Sequence, residues 1–562
     1  MWCEPANAQT PMAQSWSTRI SHIMTSCGQS DDGNSCYGSN AQEFTLLSAA
    51  SGGVLWHKRF QDIDPGFAKV DNQLVLWDAN LLILIVRELG NDLIGAVDLN
   101  TGNLIWSTRA YRHVRPGSII HVQATGALAF ISQDGVVLVS PESGGEISRT
   151  SGFSGSPAFH ACMPDGNLLL LMDESSASAP WSQGVGTRLV KINLHDASVH
   201  WVAMCAGAIE YKLTTGEPLA DLRVEAGKVL LYTQSIQTFD YDTGVSSWSA
   251  SWRPDFDNHF NVLGAPPDWV GSRSNSFYPY YPVDVPRRQK QYGWYGAVAK
   301  PLISGNDVYV IDTPTKSTQY LKKYDLTTGA LLWTSPAFTR VTAVPKIHLV
   351  GDAIILQMGG LVQCQYRGYL NRSYSTYNNY NYTDAEWIVR DVTIQPCSLM
   401  AFRSMDGGFA WQSARIAGGI TDIIPNGNRI IVAGKSILYA LDLATGMNAY
   451  AVRLNGDRIG NVVDLAEGHG EALVIGEKGV AHHRLQDGAL VDRGVWGVAR
   501  LVGSAPSLLL FRLSNAHIVA YDDATGLYRI YQPLVGCLAQ LSADGGWMYA
   551  FEKDTITRLS PR

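Results

Sequence analysis

The chain contains 562 residues, of which 46% are hydrophobic and 17% are charged, and it carries a net charge of −7. This size and hydrophobic content are sufficient for a large buried core, and the negative charge argues against nucleic acid as the main partner. No apolar run approaches the roughly 20 residues that a transmembrane helix requires, so we expect no membrane-spanning segment.

The first 43 residues precede the recurring pattern of this chain, and we predict that residues 1–43 form an N-terminal extension. Residues 1–5 include neither a basic nor an apolar stretch, so they do not resemble a signal peptide. We therefore expect either a processed or truncated product, or a protein that is not exported by the ordinary route. Virion proteins that leave the cell by lysis belong to the second class.

From residue 44 onward, one short phrase recurs: an apolar strand, then Asp-x-x-Thr-Gly, and often a Trp on the next strand. The well-preserved copies contain Asp98, Gly102 and Trp106; Asp325, Gly329 and Trp333; Asp442 and Gly446; and Asp522 and Gly526. The eroded copies are residues 50–53, 140–144, 193–196, 241–244, 405–408 and 485–488. A repeat with a period of tens of residues indicates an array of similar structural units.

The chemistry of the phrase is that of a hairpin turn. Aspartate accepts hydrogen bonds from nearby backbone amides, and glycine supplies the positive φ that closes the turn. The tryptophan then lies on the return strand, where its ring can fill the space between two sheets. The apolar segments between the phrases, such as residues 81–86 and 229–232, are too short for helices. Each unit therefore predicts a small antiparallel sheet, and a ring of such sheets is a β-propeller.

The pattern of strand, Asp-x-x-Thr-Gly and Trp resembles the PQQ-like repeat family, whose propeller blades carry a tryptophan-docking motif. The resemblance implies an all-β fold, and we predict a single β-propeller over residues 44–562. The phrase occurs ten times, but common propellers have fewer blades. We therefore expect seven or eight four-stranded antiparallel blades, with some copies of the phrase outside the ring. We also expect the N- and C-terminal strands to share one blade, with residues 44–56 and 549–551 meeting at the closure.

Two long insertions interrupt the repeat, at about residues 252–300 and 366–390. Both are rich in large aromatic side chains, which are enriched at protein interfaces. The insertions either dock a partner, with their aromatic side chains exposed in the isolated chain, or fold back over the rim of the propeller. The candidate interaction residues are Trp269, Phe277, Tyr278, Tyr280, Tyr281, Arg287, Arg288, Trp294, Tyr374, Tyr377 and Tyr380.

Four of the eight cysteines are candidates for disulfide bonds. Cys27 and Cys36 bracket a turn-rich stretch, and Cys364 and Cys397 flank the second insertion. Either pair could form a bridge if the two strands that carry it are neighbours, with α-carbons within about 7 Å. Otherwise the four cysteines are buried thiols.

The sequence contains few residues that indicate catalytic chemistry. The resemblance implies that a quinoprotein dehydrogenase would carry two adjacent cysteines over its cofactor and a calcium site, and no two cysteines are adjacent here. Asp255 and Asp257 could bind calcium, but their loop lacks the Gly and distal Glu of an EF-hand. His482 and His483 are adjacent on a strand, so they point to opposite faces. We therefore predict no cofactor, no metal site and no enzymatic activity.

These observations favour a non-enzymatic β-propeller scaffold that binds other proteins of a larger assembly through its decorated rim. The assembly would be a bacteriophage virion, with this chain in the tail or tail tip, or an extracytoplasmic bacterial complex. In the second case the chain would resemble the outer-membrane assembly propeller. Two alternatives remain open. One is a PQQ-dependent dehydrogenase, and the other is a carbohydrate-binding propeller whose exposed aromatics stack on a surface glycan.

Overall fold

The structure is a computed structural model. It describes residues 10–114, 116–132, 135–150, 156–173, 187–207, 209–212, 214–233, 235–252, 263, 292–315, 317–372, 382–533 and 536–562. For residues 116, 367–372 and 382–386 it describes the backbone but not the side chains.

Antiparallel sheets dominate the described part of the chain, which contains eleven of them. Each sheet has four core strands that neighbour one another in the order of the chain, and we number these sheets as blades 1 to 11. The strands of blades 1 to 4 are Ser26–Gln29, Ser35–Ser39, Glu43–Ser48 and Val54–Arg59; Asn72–Leu76, Leu81–Val86, Leu93–Asp98 and Leu104–Thr108; Ile119–Val122, Ala127–Ser132, Gly135–Val139 and Glu146–Arg149; and Ser156–Cys162, Asn167–Asp173, Thr187–Asn193 and Val199–Cys205.

The remaining blades repeat this arrangement. The strands of blades 5 to 8 are Asp221–Glu225, Lys228–Tyr232, Ser235–Asp240 and Ser246–Ser251; Leu302–Ser304, Asp307–Thr315, Thr318–Asp325 and Leu331–Thr334; Lys346–Val350, Ala353–Arg372, Tyr382–Arg403 and Phe409–Gln412, with Tyr292–Tyr295 as a fifth strand; and Ile423–Asn426, Arg429–Ala433, Ile437–Asp442 and Asn448–Arg453. The strands of blades 9 to 11 are Val462–Gly468, Glu471–Gly476, Gly479–Arg484 and Leu490–Val495; Ala499–Ala505, Leu508–Leu513, Ile518–Asp522 and Leu527–Tyr531, with Thr10–Pro11 as a fifth strand; and Leu538–Leu541, Met548–Glu552, Thr555–Ser560 and Ala13–Arg19.

Helices are few in this fold. The described residues contain one short α-helix, Phe60–Ile63, and 3₁₀ helices at Pro65–Phe67, Pro116–Ser118 and Leu454–Asp457. None of these helices has the length and apolar character needed to span a bilayer.

The two middle strands of each blade supply most of the core. In blade 2, Leu81–Val86 and Leu93–Asp98 are buried at every position except the last. Such strands are apolar on both faces because each face packs against the sheet of a neighbouring blade. One hydrophobic cluster joins Phe44 of blade 1 to Leu82 of blade 2, and similar clusters continue from blade to blade as far as blade 11. A last cluster joins Tyr549 of blade 11 to Leu47 of blade 1, so the ring is closed.

The expected number of seven or eight blades is wrong, because the ring has eleven. Each of the ten phrases connects the third and fourth strands of one blade, so none of them lies outside the ring. Blade 11 lacks the phrase because its fourth strand, Ala13–Arg19, comes from the other end of the chain. The number of phrases therefore nearly equals the number of blades, whereas the usual size of propellers led to an expected number that was too low.

The ends of the chain meet in blade 11, as expected, but through a different segment. Ala13–Arg19 pairs with Thr555–Ser560 in an antiparallel ladder, whereas residues 44–56 lie in the adjacent blade 1. Thr10–Pro11 pairs with blade 10 in parallel. Residues 10–39, which the sequence analysis assigned to an N-terminal extension, thus contain strands of blades 10, 11 and 1.

The Asp-x-x-Thr-Gly phrase forms the predicted turn. The Asp98 carboxylate accepts hydrogen bonds from the backbone N–H and the hydroxyl of Thr101, at 2.8 and 3.1 Å, and Gly102 has φ +68°. In another copy, the same two hydrogen bonds from Thr328 hold the pKa of Asp325 below its usual value. The turn therefore depends on an ionised aspartate and on a residue that tolerates a positive φ.

Within the described part of the chain, seven tryptophans dock onto the next blade in the same way. In each case the indole N–H donates to a backbone carbonyl in the following blade, at 2.7 to 3.1 Å, and the ring covers the glycine of the following turn. A Cβ on Gly144 would lie 2.6 Å from the Trp106 ring, so any larger residue would collide with it. The docking residues are Trp16, Trp56, Trp106, Trp201, Trp248, Trp333 and Trp411. Trp106 is buried, as predicted, whereas Trp333 is only partly buried.

Blade 3 departs from this scheme in an instructive way. Ser148 occupies the position of the tryptophan, and its hydroxyl donates to the carbonyl of Asp196 in blade 4. The glycine position of blade 4 is filled by Ala197, which keeps the positive φ of +59°. Without an indole ring above it, the turn has room for a Cβ. At the interface between blades 3 and 4, where no tryptophan docks, alanine thus takes the positive-φ position of the turn.

This exception leads to a test by paired substitution. We expect the double variant Ser148→Trp/Ala197→Gly to stabilise the protein by about 1–3 kcal/mol, because it adds a docked indole ring. Ser148→Trp alone should destabilise it, since the new ring would collide with the Cβ of Ala197. Urea unfolding of both variants and of the Ala197→Gly control would measure the difference. An equal stabilisation by Ser148→Trp alone would contradict the docking geometry.

Candidate functional site

Most of the predicted interaction residues fall outside the described part of the chain. These are Trp269, Phe277, Tyr278, Tyr280, Tyr281, Arg287, Arg288, Tyr374, Tyr377 and Tyr380, together with Asp255 and Asp257 of the calcium-like loop. Trp294 is described, and it is buried with 4% of its surface exposed instead of being exposed as expected. The described ends of both insertions nevertheless converge on one feature of the fold.

That feature is a long hairpin formed by the extended second and third strands of blade 7. Its strands, Ala353–Arg372 and Tyr382–Arg403, have 20 and 22 residues, whereas the core strands of the other blades have three to nine. The strands remain paired from Ala353–Arg403 to Arg372–Tyr382, with one irregularity after Met358. At about 3.3 Å per residue, the part beyond this irregularity is about 40 Å long. We call residues 360–372 and 382–394 the blade 7 hairpin.

At the irregularity at the base of the hairpin, Gly359 on one strand opposes residues 395–397 on the other. Gly359 and Gly360 have φ values of +75° and +111°, which are unfavourable for residues with side chains. A Cβ on Gly359 would lie 2.6 Å from the backbone oxygen of Ile394. A bulge of this kind bends a strand and increases its twist. The regular pairing of the two strands is therefore interrupted at these residues.

One face of the hairpin is packed against the protein. Val362, Cys364 and Tyr366 are buried and belong to the hydrophobic cluster that joins blades 5, 6 and 7. The strand Tyr292–Tyr295, which ends the first insertion, pairs with Gln363–Tyr366. The two insertions, separate in sequence, thus meet in one sheet, and this pairing explains why Trp294 is buried.

Contacts with the preceding blades also hold the hairpin in place. The side-chain oxygen of Gln365 accepts a hydrogen bond from the backbone N–H of Thr214, which lies between blades 4 and 5, at 3.2 Å. The indole N–H of Trp252 donates to the carbonyl of Ala299 at 2.9 Å, close to the parallel bridge between Val298 and Val344. The hairpin is therefore held beyond its base at Gln365.

The opposite face of the hairpin carries both buried and exposed side chains: Gln365 is buried, whereas three apolar residues are exposed to solvent. The exposed fractions of Leu361, Val389 and Trp387 are 60%, 49% and 40%. The register places all three residues on one face, since Leu361 opposes Thr393, Gln365 opposes Val389 and Arg367 opposes Trp387. Contiguous exposed apolar surface marks sites of interaction, and here the pair Gln363–Asp391 separates Leu361 from Val389 and Trp387. These three residues lie next to the aromatic-rich stretch and not within it, so composition did not single them out.

The candidate disulfides are not formed. Cys27 opposes Gly38 and Cys36 opposes Gln29, and both are free thiols whose pKa values burial raises to about 11 and about 12. Thiols with raised pKa values are poorly reactive at neutral pH.

The second pair is separated by the register of the strands. Cys364 opposes Arg390, whereas Cys397 lies beside Ser398, the partner of Met358. The two strands do pair, as expected, but Cys364 is six residues from Met358, which is about 20 Å along the strand at about 3.3 Å per residue. This distance exceeds the roughly 7 Å between α-carbons that a disulfide allows.

The adjacent histidines of blade 9 have separate partners. The Nε2 atom of His482 lies 2.6 Å from the Tyr521 hydroxyl, whereas Nε2 of His483 lies 3.0 Å from the Asp457 carboxylate. The two rings are on opposite faces of the strand, as predicted, and each one connects two structural elements. They do not share a binding site.

No protein-family profile and no curated protein matches this chain. Among solved structures, BamB from Moraxella catarrhalis shows 12% identity and a TM-score of 0.28 over 82% of this chain and 96% of its own. The C-terminal WD40 domain of Sif2 shows 8% identity and a TM-score of 0.34 over 73% of this chain and 100% of its own. The assignment as a β-propeller therefore rests on the eleven blades themselves.

Proposed function

We propose that this protein is a non-enzymatic β-propeller scaffold that binds another protein through the exposed face of the blade 7 hairpin. The observation that carries the proposal is the two-sided character of this hairpin. Val362, Cys364 and Tyr366 pack inward, whereas Leu361 and Val389 are exposed. An apolar surface held by a rigid body binds a partner with little loss of conformational entropy.

The repeats support a scaffold of the PQQ-like type. Seven docked tryptophans and the Asp-x-x-Thr-Gly turns match the motif on which the resemblance rests. In this proposal the repeats serve to build a large rigid ring, and the blade 7 hairpin provides the contact with the partner. The chain would then act without a quinone cofactor.

We further propose that the assembly is a virion, with this chain in the tail or tail tip, or an extracytoplasmic bacterial complex. The support for this part is the sequence, which combines eroded repeats with two bulky insertions. Identification of the partner would distinguish the two locations.

The proposal is tested by charging the exposed face of the hairpin. We expect the variant Leu361→Lys/Val389→Lys to bind its partner at least about tenfold more weakly, because it places two charges at the centre of an apolar contact. The partner would be captured from the native source with a photo-cross-linking residue at position 393, then purified for binding measurements. The thermal stability of the variant should be unchanged, since both side chains are exposed.

A matched control uses two exposed apolar residues far from the hairpin. Val54 and Leu490 have exposed fractions of 50% and 42% on the outer strands of blades 1 and 9. The variant Val54→Lys/Leu490→Lys should bind the partner as tightly as the wild type. Equal binding by the hairpin variant, or equal loss in the control, would overturn the proposal. Binding to a glycan array that survives in the hairpin variant would favour the carbohydrate-binding alternative.

A further inference from the structure

Three side chains with metal-binding atoms meet where the ring closes. His22 lies in the segment that runs from the Ala13–Arg19 strand of blade 11 to the first strand of blade 1. Glu43 begins the third strand of blade 1, and His57 lies in the fourth. One ligand atom from each of the three side chains lies within 4.8 Å of the other two. The residues are scattered in sequence, and only the fold brings them together.

The orientation of His22 leaves one ring nitrogen available. Its Nε2 atom lies 3.1 Å from the backbone carbonyl of Gly38. Because a carbonyl can only accept, Nε2 carries the proton and donates it, so Nδ1 of the neutral ring has a lone pair. This Nδ1 atom is buried and has no hydrogen-bond partner, and the His22 side chain is only 3% exposed. A carbonyl bonded to one ring nitrogen is the usual support for a histidine that binds metal through the other.

The other two residues face the same point. The Nδ1 atom of His22 is 3.8 Å from the Oε2 atom of Glu43, and Nε2 of His57 is 2.9 Å from the same oxygen. The two imidazole rings are stacked at 5.8 Å. Zinc with bonds of about 2.0–2.1 Å in a tetrahedral arrangement places its ligands roughly 3.3–3.5 Å apart. Shifts of about 1 Å in the side chains would therefore create that geometry.

We propose that His22, Glu43 and His57 bind one divalent transition-metal ion, with Zn²⁺ as the best match. Two imidazole nitrogens and one carboxylate oxygen form a ligand set that suits zinc and its neighbours and that does not suit magnesium or calcium, which prefer oxygen ligands. The hydroxyl of Ser21 lies 3.1 Å from Nε2 of His57 and could hydrogen-bond a water in the fourth position.

The location of the site suggests what the ion would do. His22 follows the strand that closes the ring, and Glu43 and His57 belong to the body of blade 1. An ion held by all three residues would fasten the connecting segment to blade 1. Since the unfolded chain does not bring these residues together, binding of the ion would stabilise the closed ring.

The test measures metal content and affinity in the full-length protein. After removal of metal with a chelator, titration with ZnCl₂ followed by elemental analysis should give one bound zinc per chain, and the melting temperature should rise. MgCl₂ should have neither effect. X-ray absorption of the zinc-loaded protein should show nitrogen and oxygen ligands without sulfur, which separates this site from binding by the cysteine thiols.

The key variant is His57→Ala, because this side chain is partly exposed and its loss leaves the buried His22 in place. We expect its zinc affinity to fall by about a hundredfold, since loss of a ligand costs at least as much as loss of an outer-shell partner. His469→Ala is the matched control, because His469 is an exposed histidine outside the cluster. Unchanged zinc binding in His57→Ala, sulfur ligation in the absorption spectrum, or less than one zinc per chain in the wild type would overturn the proposal.

Discussion

Replacing Trp106 with alanine is expected to lower the free energy of unfolding by about 3–5 kcal/mol, as for other large-to-small changes in a core. The ring is 6% exposed, it covers Gly144 in the next blade, and its N–H donates to the carbonyl of Pro141 at 2.7 Å. The substitution therefore removes packing and a hydrogen bond from the same interface. Chemical denaturation followed by circular dichroism would measure the change.

Two further variants separate the contributions to this interface. Trp106→Phe should cost less than Trp106→Ala, because it keeps an aromatic ring and loses mainly the hydrogen bond. Gly144→Ala should destabilise the protein from the other side, since Gly144 has φ +68° and its Cβ would collide with the indole. An unchanged free energy of unfolding in Gly144→Ala would contradict the docking of Trp106 onto this turn.

Removing residues 1–19 is expected to open the ring. The truncation deletes the fourth strand of blade 11 together with Trp16, whose N–H donates to the carbonyl of Ala49 in blade 1 at 2.9 Å. It would also uncover Ile556 and Leu559, which are fully or almost fully buried. We expect a loss of at least about 5 kcal/mol, the upper end for a single deleted core side chain, because the strand and the tryptophan are lost together. Thermal melts of the full-length and truncated chains would show the difference.

The truncation also allows a test by complementation. A synthetic peptide of residues 10–20, added in excess, should restore part of the melting temperature by adding a strand to the open edge at Thr555–Ser560. The same peptide with Trp16→Ala should restore much less. A truncated protein that melts like the full-length chain would show that the strand does not contribute to closure.

The turns and interblade contacts were readable from the sequence because they depend on few residues close together. Asp98 and Thr101 form the turn within four positions, and Trp106 follows Gly102 at a constant distance that recurs in other blades. Trp16, the docking residue of the last blade, follows no such phrase. It was missed because its blade is assembled from both ends of the chain.

The arrangement of the insertions could not be read from the sequence. Tryptophan is a residue type that is common at interfaces, yet Trp294 is buried because Tyr292–Tyr295 adds a strand to the blade 7 hairpin. Aromatic side chains are common both at interfaces and in cores, so composition alone does not distinguish the two. Leu361 is unremarkable in sequence, and its exposure follows only from the alternation of faces along the paired strands.

The sequence by itself determined the repeat, the chemistry of its turns and the β-propeller architecture, because these depend on hydrogen bonds and packing within single blades. The tertiary structure alone decided the number of blades, the closure and the meeting of His22, Glu43 and His57. Closure joins residues far apart in the chain, such as Ser17 and Thr557, whose hydroxyl groups lie 2.9 Å apart across 540 positions. The number of blades depends on how neighbouring sheets pack around the whole ring, and the sequence of a single repeat does not specify this packing.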